Sequence, residues 1–230
     1  MKKLVILTGA GMSAESGIST FRDNGGLWEQ YKIEDVATPE GFNANPKLVL
    51  DFYNQRRRQL FQVEPNKGHF GLADLEKLFD VQIITQNVDN LHERAGNTSI
   101  IHLHGELLKV RSSKDPDLIY ELTEEAPDIH LGDLCEKGSQ LRPHIVWFGE
   151  AVPMIEPAIK WAEDADIFVV IGTSLNVYPA AGLLSYVKKG KPIFLIDPNE
   201  VRTNRNDITF IQKSASEGVE ELSKILQNYV

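Results

Sequence analysis

The stretch KLVILTGAGMSA, residues 3–14, decides how the rest of the chain is read. KLVILT is a nearly unbroken apolar run, which suits a parallel strand buried on both faces. It ends at GAG, and GAGMSA (9–14) fits the G-x-G-x-x-G/A pattern of dinucleotide-binding turns. Gly9 allows the turn, Gly11 lets backbone approach a pyrophosphate, and the helix that follows offers its amide end to the anion. Ordinary turns produce similar glycine patterns. The acid expected on a ribose about twenty residues later is not in its usual setting, because Glu34 and Asp35 follow no predicted strand. That argues against a plain dehydrogenase.

Working outward, the same apolar-run-then-turn pattern recurs at VQIIT (81–85), SIIHL (99–103), DIFVVIG (166–172) and KPIFLID (191–197). Helical patterns lie between, over 46–61, 67–79, 154–163, 179–188 and 216–229. Strands alternating with helices predict an α/β fold: a Rossmann-like parallel sheet with helices on both faces. Two stretches break the alternation. Residues 36–66 carry helix patterns without a strand, and residues 106–145 are polar with little periodicity, too long for a structureless loop. The expected organisation is a Rossmann-like domain from 1–35, 67–105 and 146–230, with a smaller module formed by the insertions 36–66 and 106–145.

The formal net charge of −9 over 230 residues argues against a general nucleic-acid or anionic-membrane binder. Cys135 is the only cysteine, so an intrachain disulfide and a four-thiolate zinc site are both excluded. The opening MKKLVIL is too short for a secretory core, and no segment approaches membrane-spanning length, so a cytoplasmic protein is expected.

Several polar clusters sit where predicted strands end, the edge at which open parallel sheets bind ligands. TQNVDNLHERAG (85–96) packs Gln86, Asn87, Asp89 and Asn90 into five positions, although Asn and Asp also serve as caps and turn formers. HLHGE (102–106) puts His102 and His104 on one face, as two metal ligands or as one working base with a structural neighbour. GTSLNVYP (172–179) offers Gly172, Thr173 and Ser174 as small anion-compatible groups. RPHIVWFGE (142–150) is extended and apolar, suited to exposing backbone to a peptide. FYNQRRRQL (52–60) gathers Arg56, Arg57 and Arg58. On a helix Tyr53 lies one turn from both Arg56 and Arg57, and a phenol with a guanidinium can grip a carboxylate. A solvated helix face is the plainer reading of the same run.

Taken in order, GAGMSAESGISTFRD, TQNVDNLH, HLHGE, RPHIVWFGE and GTSLNVYP make the chain resemble a sirtuin, a family of NAD-dependent protein-lysine deacylases, over almost its full length. Ser19 stands where the family most often has Pro. The resemblance implies that Gly9, Ala10, Gly11, Ser13, Glu15, Thr20, Phe21, Arg22 and Trp28 lie along NAD. It places Gln86, Asn87 and Asp89 at the ribose and nicotinamide pocket and Gly172, Thr173 and Ser174 at the adenosine side, with Asp197, Pro198, Asn199 and Ala215 as further cofactor-binding positions. His104 becomes the general base, with Asn87 beside it as a catalytic residue. Val146, Phe148, Gly149 and Val177 hold the substrate backbone as a strand.

The implied reaction consumes NAD. The acyl oxygen attacks the nicotinamide ribose carbon, nicotinamide leaves, and His104 takes a ribose hydroxyl proton so that the sugar oxygen attacks the imidate, giving free lysine and O-acyl-ADP-ribose. Class III members of the family carry Tyr-x-x-Arg beside the acyl pocket, matched here by YNQR (53–56). This selects Arg56 and implies desuccinylation and demalonylation at least as good as deacetylation. Most sirtuins also bind a structural zinc through two Cys-x-x-Cys pairs. Here those places hold Ser112, Asp115, Cys135 and Gly138, so no zinc is expected, an alternative set with His130 having no regular spacing to support it. The expected partners are acyl-lysine proteins or peptides, with no nucleic acid and no membrane. The oligomeric state stays open, a monomer being compatible with the sequence. Rival readings are a nucleotide sensor without turnover and a protein ADP-ribosyltransferase.

Overall fold

Strand β1 (Lys3–Thr8) has no solvent face past its first residue. Leu4 and Ile6 pack into one core cluster and Val5 and Leu7 into another, which is why its apolar run does not alternate. The computed structural model describes residues 1–18 and 31–230. Six strands form the main sheet in the order β3-β2-β1-β7-β8-β9, every pair parallel. They are β1, β2 (Asp80–Thr85), β3 (Ile100–His102), β7 (Ile167–Ile171), β8 (Ile193–Ile196) and β9 (Ile208–Ile211). The order runs outward from β1 in both directions, so the switch point lies between β1 and β7.

Helices cover both faces. On one, Leu72 and Leu75 of α5 (Lys67–Leu75) and Val219, Leu222 and Leu226 of α8 (Ala215–Leu226) pack against Ile6, Ile83 and Val169. On the other, Ala158 and Ala162 of α7 (Ile155–Asp164) meet Val5, Phe168 and Val170. The segment expected as a helix over 179–188 is a 3-10 helix, Ala180–Tyr186. Its buried residues pair at i, i+3 (Ala180 with Leu183, Ala181 with Leu184), the period of that tighter helix. Strand β9 was not anticipated. It is a four-residue edge strand with Phe210 half exposed, too short and too open to stand out as an apolar run.

A third cluster lies outside the sheet. It joins α2 (Ile33–Val36), α3 (Pro39–Ala44) and α4 (Pro46–Phe61) to an antiparallel sheet in the order β5-β4-β6, built from β4 (Gly105–Ser112), β5 (Ile119–Glu121) and β6 (Leu141–Ile145). Helix α4 begins at Asn45, whose side chain accepts from Leu48 N at 3.1 Å, with Pro46 in the first turn. No helix among the described residues is long and apolar enough to cross a membrane.

The three arginines of α4 separate here. Arg58 pairs with Asp128 at the surface. Arg57 is fully buried; its Nε donates to Pro127 O at 2.5 Å, Nη1 to Leu107 O at 3.4 Å, and Nη2 to Asn54 Oδ1. Asn54 in turn donates to Ile129 O at 2.9 Å and accepts from Ile129 N at 3.1 Å. Burial pushes the Arg57 pKa down to about 10, so it keeps its charge at neutral pH. Arg57 is therefore the staple between α4 and the backbone at Leu107 and Pro127. Arg57→Ala is expected to lower unfolding free energy by about 2–4 kcal/mol, since it strands buried acceptors and opens a cavity. Arg58→Ala should shift the urea midpoint far less, and equal shifts would contradict the staple role.

Candidate active site

The site is assembled at the switch point. Gly9 N donates to Ile171 O and Gly11 N to Gly172 O, both at 2.9 Å, so the turns after β1 and β7 touch backbone to backbone. A Cβ on Gly11 would lie 2.7 Å from Gly172 Cα, and one on Gly172, whose φ is +62°, 2.5 Å from Met12 N. Only glycine permits this approach. The helix expected to follow GAG is a single turn, α1 (Gly11–Ala14), with Met12 N bonded to Gly9 O and Ser13 N to Ala10 O.

The QNVD segment docks onto this turn. Asn87 Nδ2 donates to Gly9 O at 3.0 Å and to Ser13 Oγ at 3.1 Å, and Ser13 Oγ donates to Asp89 Oδ2 at 2.9 Å. Ser13, Asn87 and Asp89 are all buried. The other Asp89 oxygen accepts from Leu91 N at 3.2 Å, at the start of α6 (Leu91–Ala95), so this carboxylate is both part of the cluster and a helix cap. Burial raises its pKa, against the lowering pull of the Leu91 and Ser13 bonds. Gln86 is held through its backbone N to Thr8 O at 2.9 Å.

Sequence reasoning missed the support beneath Asn87. Thr8 Oγ1 donates to Thr85 Oγ1 at 2.9 Å, and Thr85 Oγ1 accepts from Asn87 N at 3.0 Å. With the Thr8 proton so directed, His92 Nε2, 3.1 Å away, is the donor to Thr8. His69 stacks edge-on against His92 at 4.9 Å and accepts from Asn66 N at 3.2 Å. A polar residue at the buried end of each of two adjacent strands was the available signal.

The two histidines of HLHGE differ in their partners. His104 Nδ1 lies 3.1 Å from Gln86 O; a carbonyl only accepts, so Nδ1 carries the proton and Nε2 is left as a base. Burial lowers its pKa, only partly offset by that bond, and the ring is neutral at physiological pH. His102 is opposed by burial too, but its Nε2 sits 2.6 Å from Glu93 Oε1 and the net shift is upward. His102 is the carboxylate-bound neighbour, and His104 the neutral one.

Past β6, Val146 N donates to His104 O at 2.9 Å and Phe148 N to Ala37 O at 3.0 Å, while Gly149 takes a φ of +89°. Phe148 and Val177 are exposed apolar side chains. On α4, Tyr53 is buried and its hydroxyl oxygen accepts from Trp147 Nε1 at 3.0 Å. The Arg56 guanidinium lies 5.7 Å from the ring centres of both Tyr53 and Phe52. Burial lowers its pKa, while Tyr53 and the carboxylate of Asp89 pull it upward, which places Arg56 within electrostatic reach of the QNVD segment.

Other expected positions sit along the same carboxyl edge of the sheet. Thr173 Oγ1 accepts from Leu175 N at 3.2 Å, with Ser174 half-buried beside it. Asp197, Pro198 and Asn199 follow β8, closed by a 2.9 Å bond from Asn199 N to Asp197 Oδ1. Ala215 opens α8, and the Glu15 carboxylate accepts there from Ser216 N at 2.8 Å and Ser214 Oγ at 3.2 Å, making it a helix cap. Ser19, Thr20, Phe21, Arg22 and Trp28 lie outside the described residues.

A family model described as the Sir2 family matches residues 9–179. The chain belongs to the Sir2 family. It is 63% identical over 230 residues to an NAD-dependent protein deacylase of Bacteroides thetaiotaomicron, with 98% of each chain covered. A solved Sir2 homologue–NAD complex superposes with a TM-score of 0.89 at 44% identity, over 99% of this chain and 90% of that one. A Sir2 protein with a deacetylated p53 peptide and O-acetyl-ADP-ribose superposes with a TM-score of 0.79 at 29% identity, over 96% and 92%.

The positions where a Sir2 module carries its zinc do not fit that ion here. Asp115 Oδ2 receives Lys137 Nζ at 2.6 Å, Gly138 has no side chain, and Ser112 Oγ accepts from Lys114 N and Asp115 N at 3.2 Å. Cys135 Sγ accepts from Ser139 N at 3.4 Å. No group of three or more His, Cys, Asp or Glu gathers to hold a metal among the described residues. Gln140 ties the loop instead, donating to His130 O at 2.9 Å and Leu141 O at 3.0 Å and accepting from Gly132 N at 2.8 Å.

The buried histidine pair beneath Asn87 sets an acid limit on stability. Burial pushes the pKa of His69 down to about 4 and, with His69 adding repulsion, that of His92 to about 3. In the unfolded chain both titrate near 6.5, so below that pH the unfolded state binds protons the folded state refuses. Stability is therefore complete above about pH 6.5 and falls as the pH drops towards 4, by up to about 1.4 kcal/mol per pH unit per histidine. His92→Gln should flatten the decline in urea midpoint between pH 7 and 5; an unchanged slope would exclude His92 as a source.

Proposed function

We propose that this Sir2-family chain is an NAD-dependent protein-lysine deacylase that removes succinyl and malonyl groups at least as well as acetyl. NAD supplies the electrophilic ribose carbon and is consumed as co-substrate. The glycine contact at the switch point makes the backbone cradle for its phosphates, with Gly9, Ala10, Gly11 and Gly172 closest. Ser13, Asn87 and Asp89, already locked to each other, orient the ribose and nicotinamide end. His104 Nε2, neutral and unprotonated, takes the proton from the ribose hydroxyl, as a neutral imidazole can. The exposed Phe148 and Val177, with Val146 and Gly149, hold the peptide as an added strand.

The observation that carries the acyl preference is the pairing on one turn of α4 of a buried phenol with a guanidinium 5.7 Å from its ring centre. A succinyl or malonyl tail presents two carboxylate oxygens to that pair, whereas acetyl presents none. Arg56→Met should reduce kcat/KM on a succinyl-lysine peptide by about a hundredfold, since bonds to charged groups contribute about 1.5–3 kcal/mol, and on the acetyl-lysine peptide by far less. Equal losses on the two peptides would refute the assignment. Release of O-succinyl-ADP-ribose, followed by mass spectrometry, separates deacylation from nucleotide sensing and from ADP-ribosyl transfer.

On this reading the small module folds through Arg57 and Gln140 without a metal. Purified protein is expected to contain less than about 0.1 zinc per chain and to keep its melting temperature in a strong chelator; stoichiometric zinc would overturn this.

A further inference from the structure

Tyr53 is only half of a buried pair. Its oxygen accepts a hydrogen bond from the indole nitrogen of Trp147, and an indole N–H can only donate. The phenol proton cannot point back along a bond its oxygen accepts, so it must go to some other acceptor. We infer that Trp147 is a specificity-positioning residue: its N–H fixes the Tyr53 hydroxyl so that the phenol proton is directed to the carboxylate at the far end of the acyl chain. The inference rests on the acyl preference proposed above and adds the residue that sets up its neutral donor.

The indole is itself held in place. The Arg142 guanidinium stacks 3.4 Å above its centre. Arg142 is clamped by Glu150 through bonds of 2.7 and 3.1 Å and donates to Ile145 O at 3.0 Å. Glu150 Oε2 also accepts from Trp147 N at 2.8 Å, and Glu150 N donates to Trp147 O at 3.0 Å. The Phe42 ring lies 5.3 Å away. The Trp147 backbone thus belongs to the segment that takes the peptide, while its side chain reaches to the acyl reader on α4. Backbone grip and tail recognition are joined in one residue. Burial raises the Tyr53 pKa, against the pull of Arg56, so the phenol keeps its proton over the working range.

The test uses the full-length enzyme with succinyl- and acetyl-lysine forms of one peptide. Trp147→Phe keeps a ring under Arg142 and removes only the donor. If that variant folds poorly, benzothienylalanine at position 147 replaces N–H by sulfur in the same outline. KM for the succinyl peptide should rise about five- to tenfold with kcat little changed, the pattern of lost ground-state binding. The acetyl peptide should lose clearly less than the succinyl peptide. On a Tyr53→Phe background the same replacement should add nothing, because its only route is through the phenol. Equal losses on both peptides, or an additive loss without Tyr53, would overturn the inference. If Arg56→Met retains its selective loss in that case, the acyl preference survives and only the role of Trp147 falls; if Arg56→Met is unselective, the acyl preference itself has failed.

Discussion

Two glycine turns meet without side chains between them where the parallel sheet reverses its strand order, and the rest of the site depends on that contact. Because Gly11 and Gly172 present bare backbone, the loops after β1 and β7 close to hydrogen-bonding distance. Gly9 O is then at hand to receive Asn87, and Ser13 to receive both Asn87 and Asp89. A Cβ at either position would separate the loops and undo a set of side-chain bonds that belong to a different strand.

The same edge shows how a buried polar layer is kept satisfied. Threonines closing β1 and β2 bond to each other and pass the connection from His92 to the Asn87 amide. At low dielectric such a chain is rigid when complete and costly when broken. His102 and His104, two residues apart, are sorted by their neighbours: a carboxylate raises the pKa of one, while burial lowers that of the other and a backbone carbonyl fixes its tautomer. Their difference is one of environment, since the residue type is the same.

The small module has to be held without the four thiolates that sirtuins commonly use. Arg57 takes up carbonyls from both sides of the third core, Gln140 closes the loop on itself, and the Lys137 ammonium sits against Asp115. Arg142 and Glu150 then carry this order into the segment after β6. Packing and directional bonds fix this region, and Trp147 Nε1 ties it to Tyr53 on α4.

The sequence by itself determined the sheet and the polar clusters along its carboxyl edge. A strand buried on both faces needs an uninterrupted apolar run, and the polar residues just past such runs have only the carboxyl edge to occupy. Helix α4 was legible too, expected over 46–61 and found at Pro46–Phe61. Strand β9 was not, being short and half-solvated, nor was the 3-10 helix, whose apolar content does not distinguish it from an α-helix. The resemblance singled out Arg56, but only the tertiary structure gave Arg57 and Arg58 their separate partners. Consecutive helical residues point about 100° apart, so Arg57 meets Pro127 and Leu107, Arg58 meets Asp128, and Arg56 stays beside Tyr53 and Asp89. Tyr53 and Asn54 lie within one helical turn, but Asp128 is 70 positions from Arg58 and Trp147 is 94 from Tyr53, and no local pattern encodes those contacts.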